Sequence, residues 1–172
     1  MQIHVGSGIG FGPTRMAAFD SALNELGIAN YNMLRLSSII PPNSEIVVHD
    51  GRIQKEMPGQ WGDRMYVVMA EIRVDKHNVG AWAGVGWVQD KKTGRGLFTE
   101  HEGNSEDFVR REIKQSLEAF MAMRSQDETF DWGPIEMKVV GETCISKPVC
   151  AMVAAIFQTT DWDNKPSHFP ST

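Results

Sequence analysis

An α+β fold is predicted for this 172-residue chain by three observations. Segments with strand character outnumber helical ones. The two clear helices lie far apart in the sequence. No regular strand–helix–strand alternation, of the kind that builds a parallel doubly wound sheet, runs through the chain. One domain of this length buries a core without staples. Its 41% apolar and 23% charged residues match an ordinary soluble globular composition.

In order, residues 2–5 alternate weakly and predict a short strand. Gly6, Gly8, Gly10 and Gly12, closed by Pro13 and Thr14, predict a flexible loop. Met16, Phe19, Leu23 and Leu26 recur at helical spacing, and Gly27 stops that helix. Asp20 lies on the flank of the apolar stripe, a position that favours partial burial. Residues 30–37 predict a strand ended by Pro41 and Pro42, residues 45–48 another, and residues 50–63 a loop. Residues 64–74 and 79–89 predict two long strands joined by a turn. Small residues in the second (Gly80, Ala81, Ala83, Gly84, Gly86) predict the close approach of another backbone. A strand is expected over 95–101. Ser105 caps a helix reaching Arg124, with Val109, Ile113, Leu117 and Phe120 as its buried stripe. Strands near 135–143 and 148–158 and an irregular tail from Asp161 complete the chain.

Charge and composition exclude several classes. A net charge of −5 argues against a nucleic-acid-binding footprint. No apolar run is long enough to span a bilayer, and the N-terminus shows no signal-peptide pattern, so a cytoplasmic protein is expected. Cys144 and Cys150 are too few for a disulfide framework and read as buried thiols of a reducing compartment, with a single bridge left open. The five histidines fall in no metal-ligand spacing, so no metal is expected.

Two segments are candidates for chemistry. The glycines ahead of the first helix suggest a phosphate cradle. They lack both the Gly-Lys-Ser/Thr ending of a P-loop and the dinucleotide-binding spacing, so a nucleotide-binding enzyme is disfavoured. The second segment is Ser37-Ser38-Ile39-Ile40-Pro41-Pro42. A serine pair alone reads as turn capping. This pair ends a predicted strand and precedes a double proline, which forces a sharp backbone transition where strain favours attack by a neighbouring hydroxyl.

Around that pair the chain resembles the pyruvoyl-dependent arginine decarboxylases. The matching residues are Ala18-Phe19-Asp20, Ala22-Leu23, Gly27-Ile28, Asn30 and Asn32, then Leu36 through Pro42, Glu45-Ile46, and later Gly96-Leu97, Glu100 and Glu102-Gly103. The likeness covers nearly the whole chain. It implies a sandwich of two mainly antiparallel sheets flanked by helices, an αββα arrangement, in a single domain of residues 1–172. It implies self-cleavage between Ser37 and Ser38 into a small chain, 1–37, and a large chain, 38–172. Ser38 would become a covalent pyruvoyl group, replacing pyridoxal phosphate. Cleavage needs serine at 38 because one side chain supplies both the nucleophile and the β-oxygen to be eliminated. The substrate amine would form a Schiff base with the new ketone, and L-arginine would yield agmatine and CO2.

The same resemblance assigns roles. Glu100 is the expected proton donor and would have to hold its proton at working pH, which burial favours. Glu102, two residues on, faces the same way. On its own pattern Glu100 reads as a solvated strand carboxylate. Asn32 is expected near the scissile bond, donating to an oxyanion or to the substrate carboxylate. Asp20 is expected to accept the substrate guanidinium, with Met16 and Ile39 lining the pocket. A homotrimer, or two stacked trimers, with sites between subunits is implied, in polyamine synthesis or acid resistance. Asn43 and Tyr31 depart from the family pattern, and Tyr31 lies between the two matching asparagines. Histidine or lysine therefore remain alternative substrates, and an uncleaved binding homologue is the reading from another class.

Overall fold

The computed structural model describes residues 1–53, 57–126 and 128–167. Its elements in chain order are β1 (Gln2–Phe11), α1 (Arg15–Leu26), β2 (Asn32–Arg35), β3 (Ile39–Ile40), β4 (Glu45–Val48), β5 (Arg64–Val74), β6 (Val79–Gln89), β7 (Gly96–Gly103), α2 (Glu106–Arg124), β8 (Glu136–Cys144) and β9 (Val149–Thr160). The strands form a five-stranded sheet ordered β2-β5-β9-β1-β4 and a four-stranded sheet ordered β3-β7-β6-β8. Pairing is antiparallel except for β1 with β4 and β2 with β5. Helix α1 packs on the outer face of the first sheet and α2 on that of the second. The result is the expected αββα sandwich.

Strand β9 shows why its sequence is nearly continuously apolar. Val149, Ala151, Val153, Ala155 and Phe157 face the core between the sheets, while Cys150, Met152, Ala154 and Ile156 face α1. A strand covered on both faces loses the polar half of its alternation. Cys144 belongs to the core between the sheets and Cys150 to the layer beneath α1, so the open question of a bridge resolves to two free, buried thiols.

The glycine-rich stretch is a strand and not the expected flexible loop. A Cβ on Gly8 would strike the backbone oxygen of Ala22, one on Gly10 the backbone of Ala18 and Ala22, and one on Gly12 the Ala18 nitrogen at 2.6 Å. The glycines let α1 lie directly on β1. The helix accordingly buries Ala18, Ala22, Leu23 and Leu26. This differs from the expected stripe: Met16 is 63% exposed, and Asp20, expected to be partly buried, is exposed. Close helix–strand approach selects small side chains, which periodicity of large ones does not reveal. Gly10→Ala should therefore lower stability by about 1–3 kcal/mol through overpacking, read as a fall in Tm on thermal denaturation.

The small residues of β6 also serve a different neighbour from the one expected. A Cβ on Gly84 would meet Ile113 and Val109 side chains of α2 at 2.8 Å and one on Gly86 would strike the Ile113 side chain, while one on Gly80 would strike backbone, the oxygen of Asn104. The expected loop over 50–63 has no helix or strand among its described residues; 54–56, and 168–172 of the expected irregular tail, lie outside them. Ser105 caps α2 as expected, its side chain accepting from the Phe108 N–H. Asp90 fixes the turn leading into β7. Its carboxylate accepts from the Asp131, Lys92 and Thr93 N–H groups and the Thr93 hydroxyl. These donors, that of Asp131 foremost, hold its carboxyl down to about 2.

Candidate active site

Between β2 and β3 the chain leaves one sheet and enters the other. The Leu36 N–H donates to the Val67 carbonyl of β5 at 2.9 Å, and the Phe98 N–H of β7 donates to the Ser38 carbonyl at 2.8 Å. The peptide joining Ser37 to Ser38 is thus suspended between two anchored ends. Ser38 has φ +61°, in the left-handed region. A non-glycine residue there stores on the order of 1–3 kcal/mol of strain, sustained only because its surroundings fix it. Pro41 and Pro42, just beyond, restrict the backbone that leaves the site.

The antiparallel register of β3 on β7, Ile39 opposite Leu97, brings Ser38 toward Glu100. The Ser38 hydroxyl donates to Glu100 Oε1 at 2.6 Å. Both residues are half-buried and border a cavity of about 330 Å³, together with Ser37, Phe120, Met123 and Arg124. The site therefore places a hydroxyl, a carboxyl and the strained peptide in one apolar-walled space. Ile39 also borders this cavity.

The remaining expected residues lie elsewhere in the chain. Asn32 opens β2 and is exposed; its Nδ2 donates to the Gly62 carbonyl at 2.7 Å, and it is not among the cavity's lining residues. Asp20 stands exposed on α1. Met16 borders a second cavity with Glu71, Arg73 and Glu102, which shares no lining residue with the first. Glu100 and Glu102, on one face of β7, thus serve different cavities. Within one chain the structure joins Ser37, Ser38, Ile39 and Glu100, but not Asp20, Asn32 or Met16.

Sequence reasoning missed a charged group beside α1. Arg73 makes a bidentate pair with Glu71, both contacts at 3.0 Å, and its guanidinium lies 3.8 Å from the Phe19 ring centre. Arg35, three residues before Ser38, places a nitrogen 3.6 Å from Glu71. Burial, reinforced by the Glu71 charge and partly offset by Arg73, pushes the Cys150 thiol up to about 12, so it is no nucleophile at neutral pH. Arg124 was also missed: a basic residue in the last helical turn reads as a dipole partner. Among the described residues no cluster of three His, Cys, Asp or Glu could hold a metal, and no helix is long and apolar enough to cross a membrane.

Comparison with known proteins adds to this geometry. The profile of the family described as pyruvoyl-dependent arginine decarboxylase matches residues 2–162. A protein of that name from Halobacterium salinarum is 30% identical over 165 residues, covering 93% of this chain and 96% of its own. Another from Pyrococcus horikoshii is 31% identical over 154 residues, 84% of this chain and 87% of the relative. One from Thermoplasma volcanium is 30% identical over 106 residues, 61% of this chain and 57% of the relative. A solved pyruvoyl-dependent histidine decarboxylase shows a partial likeness, with a TM-score of 0.43 at 14% identity, over 66% of this chain and 57% of that one.

Proposed function

The chain belongs to the pyruvoyl-dependent arginine decarboxylase family, and from that premise we propose that it cleaves itself between Ser37 and Ser38 and decarboxylates L-arginine to agmatine and CO2. The observation carrying this reading is the Ser38 hydroxyl held on Glu100 beside a strained peptide between two sheets. The Ser38 oxygen adds to the Ser37 carbonyl carbon as Glu100 Oε1 takes its proton. The C–N bond breaks, and the freed amine of residue 38 receives a proton. Loss of the Cα proton of residue 38 then breaks its Cβ–Oγ bond. Ser37 departs as a carboxylate and a Cα=Cβ bond remains on residue 38. Water releases the amine as ammonia and leaves the ketone.

The residues present fit that group, since the cavity beside residue 38 is apolar-walled and carries one carboxyl at hydrogen-bond range. The pyruvoyl ketone supplies an electron sink for loss of CO2 from an amino acid. Glu100 delivers a proton to the carbon that has lost CO2. Phe120 and Met123, with Ile39, give that cavity its apolar wall. Cleavage does not dissociate the fold, because β1 of the small chain lies between β9 and β4.

Leu34, Leu36, Ile39, Phe120 and Met123 form exposed apolar surface around the site. Together with the separation of Asp20 from Ser38 in one chain, this supports a homo-oligomer, a trimer or two stacked trimers, in which a neighbour's Asp20 accepts the substrate guanidinium. The two free thiols suit the cytoplasm. Asp20→Asn should leave cleavage intact and raise KM for arginine roughly tenfold to a hundredfold, the loss of a charge-assisted pair of about 1.5–3 kcal/mol. Mixing it with Ser38→Ala in shared oligomers should restore low-KM activity, because one site then has both groups. An unchanged KM would remove Asp20 from substrate recognition; CO2 release from histidine or lysine, but not arginine, would redirect the substrate.

A further inference from the structure

We propose that Arg124 is a positioning residue which binds the carboxylate that self-cleavage creates on Ser37. The inference rests on the self-processing reading above. Arg124 ends α2 and borders the Ser38 cavity, and Glu100 is the carboxylate of that lining. Glu100 is already engaged by the Ser38 hydroxyl. Arg124 makes no ion pair or side-chain hydrogen bond among the described residues, whereas Arg95, which lines a neighbouring cavity with it, and the arginines of the first turns of α2 do. Arg95 pairs with Glu128 at 2.7 Å, Arg110 with Glu106 at 2.6 Å, and Arg111 lies 3.8 Å from Glu112. Among the described residues an uncommitted guanidinium therefore borders a cavity in which the proposed cleavage would place one new anion.

Two carboxylates compete for it in principle: that of the bound amino acid and that of Ser37. The first leaves as neutral CO2. A guanidinium clamped on it would stabilise the reactant more than the transition state, and so slow the reaction. The Ser37 carboxylate is permanent. Once formed, it lies on the lining of the same cavity, where Arg124 is the one cation among the described lining residues. Its two oxygens match the planar guanidinium fork, which would fix the end of the small chain against α2 and keep it clear of the substrate.

The same arginine also sits where a cation favours the helix C-terminus, and a double-mutant cycle separates the two roles. Arg124→Gln is introduced into the self-processed protein and into the uncut Ser38→Ala chain, which lacks the Ser37 carboxylate. A pair with that carboxylate predicts a fall in Tm of about 2–4 °C in the cleaved protein and little change in the uncut one. Arg124→Lys, which keeps the charge but loses the fork, should recover part of the fall. High salt should shrink the difference between the backgrounds. Equal Tm losses in cut and uncut chains would overturn the proposal and leave a helix-end role. Wild-type protein that stays a single chain would instead overturn the processing reading itself, and a denaturing gel shows that before the cycle begins.

Discussion

Ser38→Ala is expected to accumulate as one 172-residue chain that releases no CO2 from arginine. The substitution removes the only atom that acts twice in processing. In the proposed processing the hydroxyl would first attack the Ser37 carbonyl, and its oxygen would then leave from Cβ. Alanine supplies neither, so the loss is complete and not a graded fall in rate. The fold should survive. The lost Glu100 hydrogen bond lies between half-buried groups that water can reach, and alanine at φ +61° is strained to a degree similar to serine. Intact mass and circular dichroism on one preparation test both statements. Wild-type protein should separate on a denaturing gel into chains 1–37 and 38–172, the larger resistant to N-terminal sequencing because its amine has become a ketone. Ser38→Cys, whose sulfur also attacks and can be eliminated, should cleave partly. An uncut wild-type protein that decarboxylates arginine would end the mechanism.

Which of these features the sequence reveals follows from where each signal resides. Residues 64–74 and 79–89 are read correctly as strands, and Ser105 as a helix cap, because local patterning and capping chemistry carry them. The glycines of β1 mislead because the reason for them is tertiary: they make room for α1, and only the docked helix shows it. The stripe of α1 misleads for the same cause, since Ala18 and Ala22 outrank Met16 once the helix lies close. At the site, Ser37, Ser38 and Glu100 are found through a motif and not through periodicity. The left-handed Ser38 and its anchoring to two different sheets leave no trace in residue types, because serine is common in turns of every kind. Asp20 and Asn32 match the same motif yet do not meet Ser38 within one chain. In the proposed oligomer a neighbouring chain would supply what the single chain does not. Arg124 has a ready alternative reading in its helix turn, and it becomes conspicuous only when the cavity is seen to be lined by a cation with no ion pair among the described residues.

Glu100→Gln should separate the two tasks placed on that carboxyl. Glutamine keeps the side-chain oxygen that accepts from the Ser38 hydroxyl, so the strained geometry and the hydrogen bond at 2.6 Å have a near substitute. Processing occurs once per molecule, and strain together with solvent can complete it over hours even without a strong base at Oε1. Cleavage into 1–37 and 38–172 should therefore still be seen on a gel, at a reduced rate. Turnover is different, because a proton must be delivered to the substrate carbon in every cycle and an amide cannot deliver one. General acid catalysis is typically worth about 10²–10⁴-fold, and kcat should fall by that order with arginine binding retained in calorimetry. Glu102→Gln is the control. Glu102 faces the same way on β7 but borders the cavity of Arg73 and Met16, so its loss should cost kcat much less. Normal turnover by cleaved Glu100→Gln, with cleaved Glu102→Gln inactive, would move the proton donor two residues along the strand. The reacting carbon would then have to lie on the side of the second cavity.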